Sequence, residues 1–200
     1  FDVSAKGGGS ENKTKFAVLN PSASVADWVV ETVEKMGAGW CPPGILGIGI
    51  GGSVDKAMVM AKQSLNEPID ATELRARGAS TAEEELRLEL IDRINALGIG
   101  AQGLGGMTTV LDVKVRSFPT HAASLPVALV PNCAATRHVH FALDGSGPAR
   151  LSPPDLSDWP DLDFRDAWKD ARRVDLDGLT RSDIATWKPG ESLLLSGHLL

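Results

Sequence analysis

The stretch from Trp40 to Ser53, WCPPGILGIGIGGS, leaves this chain few folding options. A cysteine at a Pro-Pro corner is followed, from Gly44 to Ile50, by apolar side chains interleaved with glycines. Such a run is too short and too glycine-rich for a helix. It predicts a buried strand whose missing side chains let another backbone or a ligand approach closely. Gly51-Gly52-Ser53 then turns into a helix predicted from Val54 to about Leu65, with Ser53 at its N-cap and Asp55 in its first turn. Strand, glycine turn and helix N-terminus together suit an anion. The dinucleotide fingerprint is not met, because Asp70 falls in a predicted loop after Pro68 rather than at the end of a following strand.

Two further helices are predicted around this unit. Ser22 to Met36 carries Val25, Trp28, Val29, Val33 and Met36 at three- and four-residue spacing and stops at Gly37. Thr81 to Leu97 opens on a Thr81–Glu84 capping pattern and has Leu86, Leu90, Ile94 and Leu97 as its buried stripe. Its charges, Glu83, Glu84, Glu85, Arg87, Glu89 and Arg93, read as a solvated face. In LDVKVR, Leu111, Val113 and Val115 alternate with Asp112, Lys114 and Arg116, the period of a half-buried strand. Further strands are predicted near Val127 to Val130 and His138 to Leu143.

The expected fold class is α/β: a mixed sheet of strands near 45, 111, 128 and 139 with packed helices, spanning 1–150. A linker rich in proline and aspartate follows over 151–173. The start of a second domain, with a Thr180-capped turn, a WKPGE turn and a last apolar strand, occupies 174–200. At 42% hydrophobic, 200 residues suffice for one substantial core.

A net charge of −6 without a basic stripe argues against a general nucleic-acid binder. No stretch has the length of a membrane span or the pattern of a secretory leader, so the cytoplasm is the expected compartment. Two cysteines, Cys41 and Cys133, do not make a disulfide framework and are expected to be free thiols. His121, His138 and His140 flank Cys133, and the sheet is expected to bring them close to it. His121, among small residues in PTHAAS, is the candidate general acid or base. In AKGGGSENK, three consecutive glycines leave backbone N–H groups free for a carboxylate, and Lys13 adds a positive charge. The thiols admit several readings. Zinc on Cys41, Cys133, His138 and His140 is one. An iron–sulfur cluster needing at least one ligand from elsewhere is another. A cysteine nucleophile and inert buried thiols complete the set.

The stretches KGGGSENK, CPPGILGIGIGGSVDKAMVMAK, GIGAQGLGGMTTVLDVKV, PTHAASLPVAL, PNCAATRHVHFALDGSGP and WKPGESLLLSG strongly resemble the class I fumarases, the iron–sulfur hydro-lyases that include the L-tartrate dehydratases. The resemblance covers nearly the whole chain. It implies reversible hydration of fumarate to (S)-malate at a 4Fe-4S cluster, with L-tartrate dehydration as the alternative. It further implies Cys41 and Cys133 as two of three cluster ligands, the third lying before Phe1. His121 matches the family's active-site histidine, and Gly9, Asn12 and Lys13 fall where a glycine-rich loop meets the substrate carboxylates. An arginine- and threonine-containing motif would follow LLLSG, which makes this a central portion of a longer protein, inactive by itself and a homodimer when complete. A non-catalytic structural or metal-binding fragment is the reading from a different class.

Overall fold

The computed structural model describes residues 1–135, 137–149, 151, 157, 168–188 and 191–199. The chain forms two compact units, Phe1–Leu151 and Ser152–Leu200. The first runs β1 (Asp2–Ser4), α1 (Gly8–Glu11), β2 (Lys15–Leu19), α2 (Val25–Met36), β3 (Gly44–Gly51), α3 (Val54–Ser64), α4 (Ala71–Arg77) and α5 (Ala82–Ala96). A 3-10 turn (Ala101–Gly103), β4 (Val110–Phe118), β5 (Leu125–Cys133) and β6 (His138–His140) complete it. In the second, β7 (Arg172–Asp175) lies parallel to β8 (Leu193–Ser196), and α6 (Arg181–Ile184) between them carries a full capping box on Thr180. Most of the predicted linker, 151–173, and the centre of the WKPGE turn lie outside the described residues.

The α/β class holds, with a different strand list from the one predicted. The main sheet has the order β2-β5-β3-β4, antiparallel except for the β3–β4 pair. The strand near 139 is not part of it: β6 pairs with β1 in a separate two-stranded sheet. Its place in the main sheet is taken by β2, whose KFAVL was not read as a strand.

β3 is central, and its two faces explain its composition. Leu46 and Ile48 pack with Val127 and Leu129 of β5 against α2 and α5. Ile45 faces the other way, with Ala128 and Val130, onto Ala57, Ala61 and Leu65 of α3 and its end. Gly47 and Gly49 share that second face, where a Cβ would lie 2.1 Å from the Ala61 carbonyl oxygen and 2.0 Å from that of Ala57. The glycines therefore let a helix backbone rest directly on a strand backbone. The helices start as their sequences dictate. Ser24 accepts from the Asp27 N–H and Thr81 from the Glu84 N–H. The Glu84 carboxylate, however, turns to the Ser80 N–H and to Arg77 instead of closing the box on Thr81.

The alternation in β4 is correct in phase and wrong in meaning. Val113 and Val115 are buried as expected, but Asp112 and Lys114 on the opposite face are buried too, at 0% and 1% exposure. Leu111 is exposed because the register with β3 slips there: Gly44 pairs with Val110 and Ile45 with Asp112, so Leu111 is the extra residue of a bulge. Arg87, expected on a solvated face, is buried as well. Its Nε donates to the Val113 carbonyl at 2.8 Å and its guanidinium pairs with Asp112 and Asp70. Lys114 pairs with Asp112 at 2.8 Å and with Asp70. Two cations and two anions thus neutralise each other under α4 and α5, and the Asp112 carboxylate also accepts the Asp70 and Val113 N–H groups.

Asp70 gives this network a pH dependence. Burial alone would raise its carboxyl, but hydrogen bonds from Lys114 and Arg87 outweigh that and hold it at about 2, against 3.8 for a free side chain. A group whose folded value is depressed contributes fully above its unfolded value and loses that contribution as pH falls through the folded one. Stability from Asp70 is therefore complete above pH ~4 and fades between pH ~4 and ~2. Urea midpoints across this range are expected to fall less steeply in Asp70→Asn than in the parent. An unchanged slope would show that the acid sensitivity lies elsewhere.

Candidate active site

Both cysteines sit at one end of the main sheet. Cys133 is the last residue of β5 and pairs with Gly44, the first of β3, while Cys41 lies three residues before Gly44. The approach is tight at this point: a Cβ on Gly44 would lie 2.2 Å from the Asn132 carbonyl oxygen and 2.7 Å from the Trp40 ring. Cys41 has φ 61°, in the left-handed region that residues other than glycine seldom adopt, and its N–H donates to the Ala38 carbonyl. The glycine-rich loop over 98–106 braces the corner. Gln102, also left-handed, donates its backbone N–H to the Pro42 carbonyl at 2.7 Å and its side-chain amide to the same oxygen at 3.3 Å.

The amino-terminal loop comes to the same end. AKGGGSENK contains α1, not an open loop throughout, with Gly9 exposed within it and Asn12 as its C-cap. Lys13 lies across Gly39, which precedes Cys41 by two residues: a Cβ there would be 2.6 Å from the Lys13 Cε and 3.0 Å from its ammonium nitrogen. Lys6 lies within electrostatic reach of Cys133, and burial pulls its ammonium below the ordinary lysine value against the opposing pull of Glu11. Lys62 at the end of α3 reaches Glu11 at 2.7 Å. Burial would raise the Glu11 carboxyl, but Lys62 and Lys6 together hold it below its usual value. Lys6, Lys62, Asn132, Arg137 and His138 share the wall of one cleft.

His121 is elsewhere. It is exposed in the turn between β4 and β5, next to Thr120, whose hydroxyl donates to the Gly52 carbonyl. Gly52 follows β3, so His121 stands at the opposite end of the sheet from the cysteines. The eight residues of β3 separate the two ends, about 25 Å at strand rise. Of the three histidines expected around Cys133, His138 shares a cleft with its neighbour Asn132. The His121 ring is oriented locally: its Nδ1 accepts the Ala123 N–H at 3.1 Å, which leaves the proton of the neutral ring on Nε2. His140 is paired with Asp2.

The thiols are free. Among the described residues no three histidine, cysteine or acidic side chains are grouped to hold a metal, so the four-donor zinc set is not assembled. What this end does offer is two free thiols with four cations near them, a setting for anionic sulfur chemistry and for carboxylates. The buried indole Nε1 of Trp40, beside Cys41, has no hydrogen-bond partner among the described residues. It is a spare donor of the kind that a sulfide or thiolate acceptor satisfies.

Sequence reasoning missed Lys6, Lys62 and Arg137. Each was legible as a cation within a singled-out stretch, Lys6 at the start of KGGGSENK, Arg137 in PNCAATRH and Lys62 at the end of CPPGILGIGIGGSVDKAMVMAK. What the sequence did not show is that the turn from β3 into α3 brings the end of that helix back to the start of the strand.

Residues 1–142 match the family model described as fumarate hydratase (fumerase), and residues 145–200 match the one described as fumarase C-terminus. Among curated proteins, a putative L(+)-tartrate dehydratase subunit alpha of Methanocaldococcus jannaschii is 42% identical over 138 residues, covering 66% of this chain and 46% of that protein. The L(+)-tartrate dehydratase subunit alpha of Escherichia coli is 35% identical over 140 residues, 68% of this chain and 45% of that protein. The chain spans about half the length of the curated relatives it matches.

Proposed function

This chain belongs to the fumarate hydratase family, and from that membership we propose that it forms part of a class I fumarate hydratase, adding water reversibly to fumarate to give (S)-malate. The observation that carries the proposal is the convergence of Cys41, Cys133 and the cations Lys6, Lys13, Lys62 and Arg137 on one end of the sheet. Removing a weakly acidic proton beside a carboxylate and expelling hydroxide both need charge stabilisation. A cationic end that binds a small dicarboxylate meets part of that need.

The donor set fits the family's 4Fe-4S cluster in kind and place. Cys41 and Cys133 would hold it as two of three thiolate ligands, and when bound it supplies a Lewis-acidic iron for the substrate's hydroxyl. With two cysteines in the chain, the third thiolate comes from outside Phe1–Leu200. The chain's own residues do the rest. Lys13 orients one substrate carboxylate by charge, and Asn12 and the backbone of Gly9 supply hydrogen bonds to it. His121 presents an Nε2 proton suited to a leaving hydroxyl, but to a site other than its own chain's cysteine end. In a cytoplasmic homodimer the partner copy is that site.

Fumarate is preferred over tartrate because both matched segments of the chain, 1–142 and 145–200, fit models named for fumarase. L-tartrate dehydration is the second reading, favoured by the names of the relatives. Anaerobic assay of the reconstituted enzyme against both substrates decides between them. Turnover of tartrate but not fumarate would transfer the assignment, and turnover of neither would leave a structural or metal-binding role.

The placement of His121 makes a separate prediction. Variants His121→Gln and Cys133→Ser, each inactive alone, are expected to recover about a quarter of parental activity after subunits are mixed: half the dimers are mixed and one of their two sites has both residues. If histidine and cysteine served the same chain, mixing would restore nothing.

A further inference from the structure

The second unit has a cleft of its own, about 190 Å³, lined by Arg172, Arg173, Asp175, Asp183 and Trp187 among others. Some of these groups are engaged within the unit. Arg172 donates to the Thr186 hydroxyl at 3.2 Å and lies 3.7 Å from Glu191. One oxygen of Asp175 accepts the Asp177 N–H at 3.1 Å, and one oxygen of Asp183 accepts the Thr180 N–H at 2.9 Å in the capping box. Two donors are left over. The Arg173 side chain has no hydrogen bond or ion pair among the described residues. The Trp187 indole Nε1 is buried and also lacks a partner among them. A buried N–H without an acceptor is rare in folded proteins, because it has given up water and gained nothing in exchange.

These residues also limit what a ligand can be. Unspent donors call for an acceptor, and the planar fork of a guanidinium matches a carboxylate. Yet two arginines and two aspartates already balance in the lining, so a ligand with net negative charge would meet Asp175 and Asp183 uncompensated. Each aspartate keeps a second oxygen for a cationic donor. The volume falls below the ~300–1,000 Å³ usual for drug-sized ligands.

We propose that this cleft binds a small zwitterion of the α-amino acid class, its carboxylate held by Arg173 and Trp187 and its ammonium by Asp175 and Asp183. The site goes beyond the hydro-lyase reading, lies wholly in the second unit and needs neither a cluster nor turnover.

The test is a titration of the 200-residue chain with alanine at neutral pH and constant ionic strength, read by NMR on the Trp187 indole N–H, whose resonance is assigned by its loss in Trp187→Phe. A saturable shift is expected. Binding should weaken roughly ten- to hundredfold in Arg173→Gln, the loss of one charged hydrogen bond. It should also weaken in Asp175→Asn, which keeps an acceptor for the Asp177 N–H, and be unchanged in Lys35→Gln, a surface lysine of the first unit. Acetate and methylammonium, which each carry half of the charge pair, are expected to bind at least about tenfold more weakly than alanine. No saturable shift at tens of millimolar, binding indifferent to Arg173→Gln, or acetate binding as tightly as alanine would overturn the proposal and leave the hydratase assignment untouched.

Discussion

Lys114→Ala is expected to destabilise the first unit by about 3–5 kcal/mol, a large share of a typical domain's stability. The Lys114 ammonium is 1% exposed and the Asp112 carboxylate beside it 0%. Without Lys114, Asp112 keeps only Arg87 at 3.2 Å and two N–H groups, and Asp70 loses one of its two cations. The cost arises mainly from the charge left behind, so Lys114→Met combined with Asp112→Leu should recover much of the loss. Urea unfolding of the single and double variants checks this. A loss below 1 kcal/mol for Lys114→Ala, or strictly additive effects in the pair, would show that water reaches this network and that it does not hold β4 against α4 and α5.

Cys133→Ser is expected to produce the opposite pattern: abolished hydration and no bound iron in the complete enzyme, with little change in stability of the chain. Cys133 is half-buried at a strand end, where an oxygen fits in place of sulfur, but a hydroxyl does not replace a thiolate as a cluster ligand. Cys41→Ser should behave alike for function. Urea midpoints and iron content measured on the same preparations separate this outcome from unfolding. Retained activity in either variant would remove these thiols from the chemistry.

The two patterns mark what the sequence could and could not convey. Stop signals and spacing located α2, α3 and α5, and the glycine-interleaved run disclosed β3 as a strand pressed against a backbone, because those features act locally. The charges of β4 and α5 misled. Asp112, Lys114 and Arg87 look solvated by residue type, and only their mutual pairing in space makes burial affordable. Leu111 misled for a related reason, since a bulge changes which side of a strand a residue faces without altering the sequence pattern. At the site, Cys41, Cys133, Lys13 and Asn12 were visible as motifs; the antiparallel β3–β5 register brings the two cysteines to one end, and the β2–β5 pairing carries Asn12 and Lys13 toward it. The same register carries His121 to the far end, a fact of topology that proximity in sequence to Cys133 concealed.

If the cysteine end of this sheet is part of a cluster-dependent hydratase site, the protein expressed with its native flanking sequence must carry the cluster. Anaerobic iron and acid-labile sulfide analysis, coupled to fumarate hydration, is then expected to give about four iron and four sulfide per chain, and activity that disappears when the cluster is removed and returns on reconstitution. Full activity in a protein free of iron, or an iron-replete protein inert toward both fumarate and tartrate, would contradict it.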